Sequence, residues 1–145
     1  MKNQELAPIG RRHFLLVLDG GDEVPKAFIE FAGQNAIAGA SLQGIGAFAR
    51  ATIAYWNPRT REYEEIAVDE QVEVLSISGS LATAGDEIKL HAHVILGKRD
   101  GSTVGGHLVR ATVYPTLEVF ITTSLRKLVR EKDPATGLML LSRMS

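Results

Sequence analysis

An α/β chain of the α+β kind, a mainly antiparallel β-sheet with one main flanking helix, is what this sequence predicts. Three observations point there. Only the stretch between Asp22 and Gly39 carries apolar residues at helical spacing. The rest divides into runs rich in β-branched and aromatic residues, punctuated by Gly, Pro, Asn and Asp. No repeat or low-complexity tract intervenes, and 145 residues with 45% hydrophobic content suit a single core, so one domain is expected over residues 1–145.

Taken in order, Arg12 to Leu18 reads as a first strand, ended by Asp19-Gly20-Gly21-Asp22. Asp22 is positioned as an N-cap, with Pro25 in the first turn of a helix. Val24, Phe28, Phe31 and Ala32 form its apolar stripe, Asn35 continues the spacing, and Gly39 is placed to close it. Ser41 to Trp56 is a long strand in which Gly44 and Gly46 mark a bend or a close backbone approach. Asn57-Pro58-Arg59-Thr60 turns it. Tyr63–Val68 and Val72–Ala82 follow as strands, and Leu90–Leu96, Val104–Val113 and Leu117–Ser124 complete a meander with Pro115 at a turn. Leu138–Leu141 is a short final strand.

The segment from His91 to Leu108 carries the most chemistry. His91 and His93 are two apart in an apolar run, so on a strand both point to one face. Asp100-Gly101 signals a hairpin, and the length of its loop places His107. A two-residue loop sets His107 opposite Val94, on the wrong face. A three-residue loop, Arg99-Asp100-Gly101 with Gly101 left-handed, pairs Lys98 with Ser102 and sets His107 opposite His93, with His91 on the diagonal. Gly105-Gly106 can add a bulge that shifts this register. In the second arrangement three imidazoles converge, the usual nitrogen ligands of zinc, leaving one coordination position open. Against this stands the ordinary role of a strand histidine, a hydrogen-bonded core or rim residue.

These residues also resemble a known family. His91-x-His93, a glycine-containing turn and Gly105-Gly106-His107-Leu108 are similar to a segment of the plants and prokaryotes conserved (PPC) domain. Leu42-Gln43-Gly44-Ile45-Gly46-Ala47, the run Glu73 to Ser80, and Thr116-Leu117-Glu118-Val119 resemble further segments in the family's order, over roughly residues 11 to 126. The resemblance implies a sheet with a flanking helix, similar to the fold of α-acetolactate decarboxylase, a three-histidine metalloenzyme. It also implies a homotrimer and a divalent metal, zinc first, on His91, His93 and His107. Plant members join the domain to AT-hooks and act in the nucleus; no Arg-Gly-Arg-Pro core occurs here, which weakens the transfer of DNA binding.

Composition narrows the classes. With no cysteine, disulfides and thiolate ligands are excluded, and any metal uses nitrogen and oxygen donors. A formal net charge of -1 lacks the basic surplus of a dedicated DNA-binding domain. The basic residues cluster at Arg11-Arg12, at Lys98-Arg99 and from Arg126 to Lys132, the last read as a solvated face or turn. Met1 to Gly10 is polar and unlike a signal peptide, no run is long enough to span a membrane, and the expected location is cytoplasmic.

Strands carrying Ile77, Leu81, Val119 and Ile121 outnumber what one helix can cover, which points to burial by other subunits of a homotrimer. The alternative is a curled, monomeric half-barrel. Glu73 and Glu118, acidic residues in apolar strands, are candidate carboxylates near the histidines; the competing reading has them facing solvent or an arginine such as Arg50 or Arg110. His13 stands apart from the cluster. Two functions follow. One is a trimeric, DNA-associated regulatory module with a metal on its histidines. The other is a metal-dependent enzyme, decarboxylase- or hydrolase-like, that uses the open coordination position.

Overall fold

The computed structural model describes residues 1–7 and 10–142. In chain order it comprises β1 (Lys2–Ala7), β2 (His13–Asp19), β3 (Glu23–Val24), α1 (Lys26–Gln34), β4 (Gly39–Asn57) and β5 (Glu62–Val68). There follow β6 (Val72–Ala84), β7 (Glu87–Gly97), β8 (Thr103–Thr123), β9 (Arg130–Lys132) and β10 (Met139–Leu141). The architecture is the α+β one expected: a mainly antiparallel sheet with one helix among the described residues.

Two long strands organise the sheet. Its order is β1-β2-β8-β7-β6-β4-β5, and a further β8–β4 pairing closes the path β8-β7-β6-β4 on itself. β4 runs against β8 from Ala40↔Thr123 to Ala54↔His107, with irregularities at Gly46/Phe48, Phe48/Arg50 and Thr52/Ile53. Closure needs the two backbones to meet closely. A Cβ on Gly44 would collide with the carbonyl oxygen of Glu118, and one on Gly46 with that of Thr116. The approach inferred from these glycines is therefore present.

Alternation and helical spacing then fill the interior. Phe14, Leu16 and Leu18 of β2 point inward at period two, and Phe28, Phe31 and Ala32 of α1 meet them with no exposed surface. The Phe14 and Phe31 rings touch edge-to-face at 5.2 Å. Truncating a ring so buried costs about 3–5 kcal/mol.

Several expectations need correction. Asp22 does not cap α1: its carboxylate accepts from the Asp19 amide at 2.9 Å, and the N-cap is Pro25, without a side-chain cap. The reason is that Glu23 and Val24 pair with Thr112 and Ala111, so a short strand separates Asp22 from the helix. Gly39 does not close the helix either. Asn35 does, followed by Ala36 at φ +51°, and Gly39 opens β4 where a Cβ would lie 2.7 Å from Leu128 Cγ. Pro115 sits inside the continuous β8 rather than at a turn. It falls where the β4 ladder skips from Leu117 to Val113, and between the ends of the β2 and β3 ladders at Thr116 and Thr112, so its missing N–H removes no ladder bond. Ile77, Leu81, Val119 and Ile121 lie inside this chain's own core, not on an uncovered face.

Candidate metal centre

The histidines are placed by a turn of three residues. Lys98 N donates to Ser102 O at 2.8 Å, Gly101 N returns to Lys98 O at 2.9 Å, and Gly101 takes φ +84°. The ladder then pairs Gly97 with Thr103 and His93 with His107, without a shift. Gly105-Gly106 makes no bulge in this ladder; both glycines serve close approach, since a Cβ on Gly105 would stand 2.8 Å from Val94 O and one on Gly106 2.8 Å from Ala54 O.

His91 and His93 lie on the outer face of β7, while Ala92, Val94 and Leu96 between and beyond them fill the core. The ring centroids of His91, His93 and His107 stand 5.2, 5.1 and 5.7 Å apart, and one ligand nitrogen from each lies within 4.8 Å of the others. Around tetrahedral zinc such nitrogens are about 3.4 Å apart.

Burial favours the neutral forms of His91 and His107. It pushes His91 down to about 4, helped by the charge of Arg130 and by His107 and His93. His107 is lowered by burial first, then by His93 and Arg130. Neutral imidazole is the metal-binding form. His107 Nδ1 is buried and finds no hydrogen-bond partner among the described residues, an orphaned acceptor or donor that a metal would satisfy. The donor set and this orphaned nitrogen both fit a divalent ion.

Neighbouring elements wall the cluster. Tyr63 stacks on His107 at 4.7 Å and is itself met edge-on by Trp56 at 5.2 Å, so the β4–β5 hairpin supplies an aromatic side. From the other side comes Arg130, which departs from the reading of its basic run as a solvated face: it is buried. Thr83 draws this segment in by donating its N–H and its hydroxyl to Leu128 O, both at 2.9 Å. Arg130 then donates to Ser80 Oγ, on the rung beside His91, at 2.8 Å and to Met139 O at 3.1 Å. No periodicity marked Arg130, whose neighbours Glu131 and Lys132 are exposed.

Glu73 and Glu118 do not approach the histidines. Both are exposed; Glu73 pairs with Gly97, and Glu118 with Val17 and Ile45. Arg110 pairs with Glu65 instead, at 3.2 Å. No aspartate or glutamate joins the three histidines among the described residues. His13 stands elsewhere, its Nδ1 3.1 Å from Thr122 Oγ1.

Known proteins share the fold that carries this cluster. The metal-containing protein AF0104 from Archaeoglobus fulgidus is 35% identical, with a TM-score of 0.86 over 99% of this chain and 100% of that one. A protein from Ralstonia eutropha JMP134, provisionally named as DNA-binding, is 27% identical with a TM-score of 0.89 over 99% and 96%. The bifunctional protein GlmU from a Synechococcus strain is 32% identical over 131 residues, which make up 88% of this chain and 20% of that protein; the chain thus spans about a fifth of this curated relative. α-Acetolactate decarboxylase from Bacillus subtilis shares the fold alone, at 13% identity and a TM-score of 0.57 over 87% of this chain and 58% of that one. The model of the Plants and Prokaryotes Conserved domain matches residues 7–125. The chain belongs to that family.

Proposed function

We propose that this chain is a metal-holding regulatory module that works as a homotrimer, with one divalent ion, zinc, bound by His91, His93 and His107. One observation carries the reading: three ring nitrogens converge within 4.8 Å, and one of these rings has a buried nitrogen without a partner among the described residues. A DNA-associated role follows from the name of the Ralstonia relative. The net charge of -1 favours its exercise through protein contacts over phosphate contacts.

A second reading, a metal-dependent enzyme, draws on the cleft of about 410 Å³ beside His91 and His107. A bound ion would supply Lewis acidity at its open position. With Glu73 and Glu118 remote, that enzyme has no carboxylate base from the candidates the sequence offered.

Elemental analysis of tag-free protein tests the leading reading. One divalent ion per chain is expected, with most of it lost in His93→Ala and none in His13→Ala. A full complement of metal in His93→Ala overturns the site.

A further inference from the structure

Among the described residues, a cation lies buried beside the histidines without a counter-charge. Arg130 is 6% exposed, and among the described residues its guanidinium reaches only neutral oxygens, those of Met139 and Ser80, while its Nε finds no acceptor there. No carboxylate forms an ion pair with it among the described residues. A guanidinium withdrawn from water is costly unless an anion meets it, and its planar fork matches a carboxylate in particular.

Arg130 borders the cleft of about 410 Å³ that opens between His91 and His107 on one side and the β9–β10 hairpin on the other. Tyr63, Leu138, Met139 and Leu140 make its remaining walls largely apolar. Lys89, at its rim, is already paired with Glu87. A concave, apolar site with one unneutralised cation selects an anionic head on an apolar body.

We propose that this cleft binds a small carboxylate carrying an apolar body, its head on Arg130 and its body against Leu138, Met139 and Tyr63. The inference deepens the metal reading without requiring it: an ion on the adjoining histidines would strengthen the positive field that attracts the ligand. The simpler role for Arg130, pinning the β9–β10 hairpin to β6, predicts no such binding.

The test is calorimetric titration of tag-free, metal-loaded protein with hexanoate, and with hexanamide as its uncharged counterpart. Saturable hexanoate binding at one per chain is expected, with hexanamide at least tenfold weaker. Arg130→Gln should abolish the binding. Because that variant removes two hydrogen bonds and can unfold, Met139→Asp provides a second measure: it sets a carboxylate at an exposed rim position and should weaken hexanoate at least tenfold while metal content stays full. Absence of binding, equal affinity for both probes, or unchanged hexanoate affinity in a folded Met139→Asp overturns the proposal. Metal content measured on the same samples separates the two readings. Metal without hexanoate binding defeats this one alone, and hexanoate binding without metal defeats the metal site alone.

Discussion

A single glycine decides where His107 falls. With Gly101 at φ +84° the loop has three residues and His107 faces His93; one residue fewer would turn it to the other side of the strand. Once there, burial controls its chemistry and that of His91. His91 is lowered from 6.5 to about 4 in the folded chain, by burial first. The unfolded chain therefore binds more protons than the folded one between those values, so stability falls as pH drops from about 6.5 towards 4. Urea midpoints of metal-free protein should decline across this window, and His91→Asn, which cannot titrate, should flatten the decline. An equal slope in His91→Asn would remove His91 as its source.

At the scale of elements, strand existence followed from composition and alternation, while strand continuity did not. Val104–Val113 and Leu117–Ser124 carry separate apolar patterns, yet they form one strand because Pro115 lands where no partner needs its N–H. The β9–β10 hairpin was half visible: Leu138–Leu141 reads as a strand, but Arg130 looks like a surface charge until Thr83 pulls its segment onto β6. Gly79 shows how β6 supports the site. It lies opposite Ala92, between the two β7 histidines, and an added Cβ would collide with the His91 carbonyl oxygen. Gly79→Ala should therefore force β7 away from β6 and destabilise the fold by about 1–3 kcal/mol. Metal content should fall with it. A chemical denaturation curve matching wild type would show that the strands yield without cost.

On the scale of the whole molecule, the case for a trimer now rests on different residues. The four strand residues first expected at the interface are core, whereas Ile45, Leu75, Ile95 and Phe120 are each half exposed or more on the outside of the sheet. Ile45, Leu75 and Phe120 line one depression of about 370 Å³. Apolar surface grouped in this way is usually covered by another chain. Light scattering at micromolar concentration should give about three chain masses, and Phe120→Asp should reduce that mass without unfolding the monomer. A monomer mass at every concentration would dismiss the assembly. The net charge of -1 also predicts weak DNA binding that added salt removes. Nanomolar, sequence-selective binding at physiological salt would contradict it. No helix among the described residues is long and apolar enough to cross a membrane.

Local rules were enough for the existence of the strands and the helix and for the histidine face, because a side-chain period of two and a turn length together specify which residues share a surface. His91, His93 and His107 needed nothing beyond one hairpin. Arg130, Tyr63 and the exposure of Glu73 and Glu118 depend on segments distant in sequence coming together. The burial of a charge and the facing of a strand are set by what packs against them, and here that was the closure of β4 on β8 and the folding of β9 over β6. No periodicity within either segment encodes such contacts, so the histidine cluster could be read along the chain while the walls around it could not.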